Sequence, residues 1–270
     1  MRIPFAQIDA FADRAFTGNP AAVMPLPRWL DDATLQHIAS ENNLSETAFL
    51  VPISDSEDDG GEGADFELRW HTPAAEVALC GHATLASGHF ILSADPSRER
   101  VVFRTRQAGL LEVSRSGLQY EMALPAWTPS PLPLPEIVAA LGVEAVETQW
   151  YEKGYALVLV ADEAAVRACQ PDGRTLAALG PIVAVVAAPG DTTDIVSRVF
   201  TPFYDIPEDP VTGSAHAVMV PYWAKRLGRD SFTAFQASAR GGTLGCKLSG
   251  DRVILTGTCV TVIEGSFLLD

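Results

Sequence analysis

Two short segments of the sequence place a glycine among polar side chains at the predicted start of an apolar helix. They are Leu79-Cys80-Gly81-His82-Ala83-Thr84 and Pro210-Val211-Thr212-Gly213-Ser214-Ala215-His216. A helix start carries unpaired N–H groups and the positive end of the helix dipole, so it can bind a carboxylate without an arginine. Glycine lets a ligand approach that backbone closely. The pair of segments predicts a binding site for a small organic acid; the alternative is two ordinary helix starts, each capped by Ser, Thr or His.

Glu46 is the candidate acid/base residue. It lies between the predicted helix end at 42–45 and the apolar strand Thr47-Ala48-Phe49-Leu50-Val51. A carboxylate at the edge of a buried strand can be partly desolvated, which equips it to take and return a proton near neutral pH. An exposed surface glutamate is the alternative interpretation. Asp209 precedes the second glycine-opened helix, and by itself it has the character of a turn residue.

The histidines and cysteines offer further candidate chemistry. His82 falls in the first turn of its predicted helix, where the dipole disfavours the imidazolium, so we expect it to be neutral. His216 has a similar environment. The cysteines show no CxxC pair and no histidine spacing typical of zinc, so the sequence predicts free, buried thiols and no metal site. They are Cys80, Cys169, Cys246 and Cys259.

Short strands and helices must position these residues. Segments rich in branched and aromatic residues predict strands at 2–9, 21–26, 47–52, 65–72, 100–106, 109–115 and 118–124. Amphipathic or apolar stretches predict helices at 31–42 and 82–93. The second half repeats this order, with strands around Lys153-Gly154, at 182–188 and at 194–202, and helices from about 162 and at 214–226.

A proline-rich segment and an internal repeat indicate two domains. Five prolines between 125 and 135 interrupt helices and central strands, which predicts domains at 1–125 and 126–270, with the last strand able to return to the first domain. The segments 69–76 and 198–205 share the pattern R-x-x-T-P-x-x-[ED], and three additional residues then precede Gly213. The repeat predicts a duplication that places equivalent segments around a shared cleft.

The charge balance limits the partners of the protein. The 270 residues include 19 basic and 34 acidic side chains, a formal charge of -15, with no basic patch, which excludes nucleic acid and anionic membranes as partners. Hydrophobic residues make up 47% of the chain, enough for a substantial core. Asp9 and Asp13 interrupt the place where a signal peptide would be apolar, so we expect a soluble, cytoplasmic protein. The acidic segment 54–65 predicts a solvated loop.

Four blocks of the sequence resemble the signature motifs of the phenazine-biosynthesis PhzF-like family. The first two are Phe16-Thr17-Gly18-Asn19-Pro20-Ala21-Ala22-Val23 and Asn43-Leu44-Ser45-Glu46-Thr47-Ala48-Phe49. The others are Leu79-Cys80-Gly81-His82-Ala83-Thr84-Leu85 and Glu208-Asp209-Pro210-Val211-Thr212-Gly213-Ser214-Ala215-His216. They occur in order between 16 and 216, so the resemblance covers nearly the whole chain.

The resemblance implies an α+β fold of two pseudo-symmetric diaminopimelate-epimerase-like domains, each a curved, mostly antiparallel sheet around a central helix. It implies a cofactor-free isomerase, commonly a homodimer, in which a glutamate moves a proton between carbons of a dihydro-hydroxyanthranilate ring. For this chain we expect a small, cyclic, carboxylate-bearing substrate. The motifs assign catalysis to Glu46, His82 and Asp209. They assign substrate binding to Asn19, Gly81, Thr212, Gly213 and Ser214.

Cys80 departs from the pattern of the phenazine enzyme. In related epimerases and proline racemases, two cysteines act as base and acid, but the matching place in the second half of this chain holds Thr212. A two-thiol racemase is disfavoured, because threonine cannot supply a thiolate. Two alternatives stay open: a one-cysteine dehydratase or epimerase of the proline-racemase superfamily that uses Cys80, and a non-catalytic protein that binds a small acid.

Overall fold

The computed structural model describes residues 1–53 and 63–269. Residues 54–62 of the predicted acidic loop lie outside the described residues. The strands are β1 Arg2–Ala10, β2 Asn19–Pro25, β3 Glu46–Pro52, β4 Phe66–His71, β5 Glu76–Val77, β6 Arg100–Thr105, β7 Leu110–Ser116, β8 Gln119–Pro125, β9 Ser130–Pro131, β10 Glu147–Tyr151, β11 Tyr155–Leu159, β12 Val183–Pro189, β13 Ile195–Thr201, β14 Ile206–Asp209, β15 Ser231–Gln236, β16 Gly242–Ser249, β17 Arg252–Gly257 and β18 Cys259–Leu268. The helices are α1 Asp32–Asn42, α2 Gly81–Ala94, α3 Pro135–Leu141, α4 Glu163–Ala168, α5 Gly173–Ala178 and α6 Gly213–Leu227, with a 3₁₀ turn at Pro202–Tyr204.

The chain divides into two compact units. The first contains Met1–Ala123 and Thr256–Asp270, and the second contains Leu124–Leu255. The boundaries between the units therefore fall within β8 and β17. The last strand, β18, belongs to the first unit, where it pairs antiparallel with β1.

Strand pairing in the first unit is mostly antiparallel. β1 pairs antiparallel with both β18 and β2, and β4 pairs antiparallel with β3 and β5. β7 pairs antiparallel with β6 and β8. Two pairs are parallel in the described residues: β2 with β3, and β4 with β6. Each parallel pair requires a crossover, and α1 and α2 supply these connections.

The second unit repeats these pairings. β11 pairs parallel with β12, and β13 pairs parallel with β15, as β2 does with β3 and β4 with β6. The antiparallel pairs β10–β11, β12–β13, β13–β14 and β15–β16 also have counterparts in the first unit. Helices thus alternate with mixed, mainly antiparallel strands, which confirms the α+β class predicted from the sequence.

Helix α2 is the central helix of the first unit. Its residues 81–88 are all buried, and it packs against β1, β2, β3, β6 and β7. A helix with apolar residues on every face is expected at such a position. A Cβ atom at Gly88 would lie 2.3 Å from Cγ1 of Val113 in β7, so glycine permits the close approach of the helix to this strand. In the second unit, α6 packs against β11 and β16.

The sequence patterns missed several short elements. Helices α3 and α5 contain seven and six residues, which is too few for a clear amphipathic period. Pro135 occupies the first turn of α3, where its missing N–H costs no hydrogen bond. The proline-rich segment also contains the two-residue strand β9, which pairs with β10.

The repeated R-x-x-T-P pattern marks equivalent, partly buried ion pairs, but the acidic residue that ends the second copy of the pattern was assigned wrongly. Arg69 donates to Glu76 through Nε at 2.8 Å and Nη2 at 2.7 Å. The equivalent Arg198 donates to Glu208 at 2.7 and 2.9 Å, so Asp205, which the pattern aligned with Glu76, is not the counterpart. The three additional residues of the second copy therefore fall before its acidic partner.

None of the helices in the described part of the chain combines the length and the apolar character that a bilayer-spanning segment requires.

Candidate active site

Three chemically active side chains of the first unit converge where β3 and α2 begin. Glu46 is the first residue of β3 and pairs in register with Ala21 of the parallel strand β2. Cys80 is the N-cap residue of α2, and His82 is the second residue of that helix. Since α2 packs against β2 and β3, its first turn lies close to the start of β3.

The imidazole of His82 lies between a carboxylate and a thiol. Its Nε2 atom is 3.0 Å from Oε2 of Glu46, and its Nδ1 atom is 3.5 Å from Sγ of Cys80. The side chain of His82 is 4% exposed and that of Glu46 is 12% exposed. Oε2 of Glu46 is buried and makes no hydrogen bond of acceptable geometry with a described residue. Its contact with His82 is therefore an ion pair that is not aligned with the N–H bond.

The pKa of His82 corrects the expectation of a neutral imidazole. Burial lowers this pKa, but the negative charges that Cys80 and Glu46 can carry outweigh burial and raise it well above 6.5. Burial, together with the charge of Glu46, raises the pKa of the Cys80 thiol to about 11. The two pKa values are linked, because the charge of Cys80 that raises the pKa of His82 is present only when the thiol is ionised. Both neighbouring groups act against burial and the helix dipole.

Asn19 lies behind the imidazole. Its side chain is fully buried, and its Nδ2 atom is 3.1 Å from Nδ1 of His82. An amide can present either its NH₂ or its carbonyl group to a ring nitrogen, so Asn19 can contact His82 in either protonation state. Gly18 has φ +66°, and a Cβ atom there would lie 2.2 Å from the carbonyl oxygen of Ala10. Glycine is therefore required immediately before Asn19.

The predicted residues of the second unit lie at the start of α6. Thr212 is the N-cap residue of this helix, and its hydroxyl donates to Oδ2 of Asp209. The backbone N–H of Thr212 donates to Oε1 of Gln236 at 2.9 Å, so that N–H group is already engaged. Gly213 is buried and Ser214 is partly exposed.

Gln236 is a residue of this region that the sequence did not reveal. It is the last residue of β15 and is fully buried. Its Nε2 atom donates to the carbonyl oxygen of Asp209 at 2.7 Å and to the hydroxyl of Thr212 at 3.1 Å. A glutamine at a strand end carries no local signal, because its role depends on a segment 24 to 27 residues away in sequence.

His216 stabilises the same helix start from inside. Its Nδ1 donates to the carbonyl oxygen of Thr212 at 2.8 Å, as the hydroxyl of Thr84 donates to the carbonyl oxygen of Cys80 at 2.6 Å. Burial lowers the pKa of His216 to about 4, although its bond to Thr212 acts in the opposite direction. His216 is therefore neutral at physiological pH and acts as a structural hydrogen-bond donor.

Equivalent positions in the two units carry different chemistry. In the parallel pair of each unit, Glu46 lies opposite Ala21, and Val183 lies opposite Tyr155, at the first position of β3 and β12. The helix starts match Cys80 with Thr212 and His82 with Ser214. Thus the first unit retains a carboxylate, a thiol and an imidazole, where the second has an apolar side chain and two hydroxyls.

The predicted site residues are divided between the two units. The first unit brings Glu46, His82 and Asn19 together, with Gly81 next to His82 in the chain. The second unit brings Asp209 to Thr212, which is followed directly by Gly213 and Ser214. All four cysteines are free, and Cys259 is less buried than the others.

The chain is similar to a set of known proteins over its whole length. A sequence model described as "phenazine biosynthesis-like protein" (PhzC-PhzF) matches residues 8–265. The chain is 45% identical over 271 residues to an uncharacterized isomerase of Pseudomonas aeruginosa, with all of both chains covered. It is 37% identical to phenazine biosynthesis-like domain-containing protein 2 of Mus musculus, with 98% of this chain and 99% of that protein covered.

A solved structure extends this similarity to three dimensions. The crystal structure of a PhzF-family phenazine biosynthesis protein from Enterococcus faecalis has a TM-score of 0.89 to this chain, with 42% identity and all of both chains covered. The likeness confirms the resemblance stated from the motifs, and with it the predicted diaminopimelate-epimerase-like α+β fold.

Proposed function

Because the chain belongs to the phenazine biosynthesis-like (PhzC/PhzF) family, we propose that it is an isomerase that moves a proton within a small, cyclic, carboxylate-bearing metabolite. Glu46 is the single acid/base of this reaction. The isomerase class is supported by the names of several relatives, which are uncharacterized isomerases of Pseudomonas aeruginosa and Halalkalibacterium halodurans. The identity of the proton carrier rests on the geometry of the first unit.

The observation that carries the proposal is the carboxylate of Glu46 beside His82. Oε2 of Glu46 has no well-aligned hydrogen bond within the described residues, although it is buried and lies 3.0 Å from Nε2 of His82. A buried oxygen of this kind retains a lone pair that can accept a proton from a substrate. The small exposed fraction of the side chain, 12%, supplies access.

The reaction requires only one proton and one shift of a double bond. The carboxylate of Glu46 removes a proton from an activated carbon of the substrate, and the electron pair of that C–H bond moves into the adjacent unsaturated system. The protonated Glu46 then returns the proton to a second carbon, and the double bond takes its new position. A protonated His82 stabilises the carboxylate before and after the transfer, and buried Asn19 holds the imidazole in place.

In the second unit, the family pattern assigns Asp209 to catalysis and Thr212, Gly213 and Ser214 to substrate binding. Gln236 and Asp209 fix the side chain and N–H group of Thr212, which gives the start of α6 a defined geometry. We propose that Gln236 is a positioning residue for this segment, because its buried amide contacts Thr212 and Asp209 rather than solvent.

A one-cysteine mechanism receives less support. The Cys80 thiol is next to His82, but burial and the charge of Glu46 raise its pKa to about 11, so it is protonated at neutral pH and unsuited to remove a proton from carbon. The carboxylate is therefore the better general base.

Deuterium incorporation tests the proposal directly. Small carboxylates are first screened by the rise in melting temperature, which a bound ligand produces by mass action. Each ligand is then incubated with the protein in D₂O, and label at carbon is measured by mass spectrometry. Glu46→Gln should reduce both label uptake and turnover by about 10²- to 10⁴-fold, while the ligand-induced melting shift is retained. Glu41→Gln, at an exposed position of α1, is the matched control and should behave as the parent protein.

Three results would contradict this assignment. Full activity of Glu46→Gln would exclude Glu46 as the acid/base. Loss of label uptake in Cys80→Ser, with normal uptake in Glu46→Gln, would favour the one-cysteine enzyme. Saturable ligand binding without label uptake, for every ligand found, would favour a non-catalytic binding protein.

A further inference from the structure

We propose that Glu46, Cys80 and His82 form a binding site for one zinc ion. One potential ligand atom from each of these side chains lies within 4.8 Å of the other two. Thiolate, imidazole and carboxylate are the groups that bind Zn²⁺ in proteins, and three protein ligands with an open fourth position are typical of zinc sites that exchange a ligand. The spacing of the cysteines and histidines predicted no metal site, and Glu46 is too far from Cys80 and His82 in the chain to belong to a spacing motif.

The donor atoms lie near each other, but not yet at the separations of a tetrahedral zinc site. Zinc bonds of about 2.0 to 2.3 Å place the ligand atoms of a tetrahedron about 3.3 to 3.8 Å apart. Oε2 of Glu46 and Nε2 of His82 are 3.0 Å apart, and Nε2 of His82 and Sγ of Cys80 are 4.0 Å apart. Sγ of Cys80 is closer to Nδ1, at 3.5 Å, so the thiol must turn toward Nε2, by rotation about its Cα–Cβ bond, before all three donors can reach one ion.

The orientation of His82 also suits a metal ligand. Asn19 contacts Nδ1, and this leaves Nε2 directed to the side of the ring where Glu46 lies. A ligating histidine usually donates its second ring N–H to a neighbouring acceptor, and the carbonyl group of Asn19 can supply that acceptor. Oε2 of Glu46 is also available as a metal ligand, since it is buried without a well-aligned hydrogen bond.

The charges of the site balance on zinc binding. The carboxylate of Glu46 and the thiolate formed from Cys80 carry two negative charges, which one Zn²⁺ neutralises. The thiol proton and the additional proton of His82 are released to solvent when the ion enters. Because thiolate is a soft ligand, the site should prefer Zn²⁺, Cd²⁺ or Co²⁺ to Mg²⁺ and Ca²⁺.

The second unit supplies an internal comparison. Its equivalent positions carry Val183, Thr212 and Ser214, which offer neither a carboxylate nor a thiolate nor an imidazole. The proposal therefore predicts one zinc ion per chain. A bound ion would occupy the lone pair of Glu46 and block proton transfer; this consequence rests on the proposed function, whereas metal binding does not.

Metal titration tests the site without any substrate. Tag-free, chelator-treated protein in a phosphine reductant is titrated with Co²⁺, whose thiolate charge-transfer band reports cysteine ligation. Zinc affinity is then measured by competition with a chromophoric chelator. Cys80→Ser and Glu46→Gln each remove a ligand, and Cys259→Ser is the matched control because Cys259 is a free thiol of the same unit outside the site. Melting temperatures in chelator establish that each variant is folded.

We expect one Co²⁺ per chain, with a charge-transfer band that Cys80→Ser abolishes and Cys259→Ser retains. Zinc affinity should fall about 100-fold or more in Cys80→Ser and in Glu46→Gln. Unchanged affinity in both variants, loss of the band in Cys259→Ser, or absence of binding at micromolar zinc would each overturn the proposal. If Cys80→Ser does not fold, the affinity of Glu46→Gln decides the question. If the parent protein binds zinc as expected but Glu46→Gln takes up deuterium normally, the proposed function is refuted and the zinc site is not.

Discussion

The neutral, buried state of His216 predicts a specific pH dependence of stability. Burial lowers its pKa to about 4 in the folded protein, whereas an unfolded histidine has a pKa near 6.5. As the pH falls below 6.5, His216 binds a proton in the unfolded chain but not in the folded protein, so unfolding becomes more favourable. The stabilising contribution is fully present above pH 6.5 and is lost progressively until the pH reaches about 4.

The magnitude follows from the size of the shift. One pKa unit corresponds to about 1.4 kcal/mol. The difference between a pKa of 6.5 in the unfolded chain and about 4 in the folded protein is therefore equivalent to a loss of about 3 kcal/mol of unfolding free energy. At pH 4.5, which lies within the window, most of this amount, about 2 to 3 kcal/mol, should already be lost. A loss of this size is a large part of the stability of a typical domain.

The variant that isolates the effect is His216→Thr. Thr84 bonds to the carbonyl oxygen of Cys80 in the first unit, so a threonine at 216 can make the equivalent bond to Thr212 without a titrating group. Urea unfolding is followed at pH 7.5 and 4.5 through tryptophan fluorescence, to which Trp223, a buried residue of the same helix, contributes. The variant should be less stable at pH 7.5, because it leaves a cavity.

The decisive quantity is the loss of unfolding free energy between the two pH values. This loss should be smaller in His216→Thr than in the parent protein by about 2 to 3 kcal/mol. Burial also lowers the pKa of His71 and His89, but both residues are present in the two proteins, so their contributions cancel in the difference. Equal losses in the two proteins would refute the account of His216.

Two further substitutions test close packing in the first unit, and a third tests a helix cap in the second unit. Gly88→Ala would place a Cβ atom 2.3 Å from Val113, so it should lower the free energy of unfolding by about 1 to 3 kcal/mol, measured by urea titration. Gly18→Ala combines a left-handed φ with a backbone contact of 2.2 Å and should cost about 2 to 4 kcal/mol in the same assay; an unchanged midpoint would contradict the geometry before Asn19. Asp162→Ala removes the N-cap bond to the N–H of Ala165 in α4 and should cost about 0.5 to 2 kcal/mol, whereas a neutral result would show that the cap contributes nothing.

Much of the fold can be predicted from the sequence because its signals are local. The predicted helices at 31–42 and 82–93 correspond to α1 at Asp32–Asn42 and α2 at Gly81–Ala94. Their periodicity, glycines and capping residues lie within the segment that folds. Asp31 caps α1 by accepting a hydrogen bond from the N–H of Thr34. Short elements such as α3 and β9 were missed, because tertiary contacts rather than local propensity hold them.

The residues of the candidate site were predicted from the sequence, but the protonation state of His82 was not. The motifs singled out Glu46 and His82, but the helix dipole alone suggested a neutral imidazole. The charges that Cys80 and Glu46 can carry reverse that conclusion, since both side chains contact the ring and raise the pKa of His82. Gln236 carried no signal at all, because its contacts with Thr212 depend on the pairing of strands distant in sequence.

By itself, the sequence determined the α+β class, the family, the two glycine-opened helices and the glutamate suited to proton transfer, since residue types and short spacings encode each of these. Only the tertiary structure decided which side chains share one environment: Glu46 with His82 and Cys80, and Arg198 with Glu208 rather than Asp205. The physical reason is that charge, burial and metal-binding capacity depend on distances of 3 to 5 Å between atoms. Sequence separation does not specify such distances, whereas strand register and helix packing do.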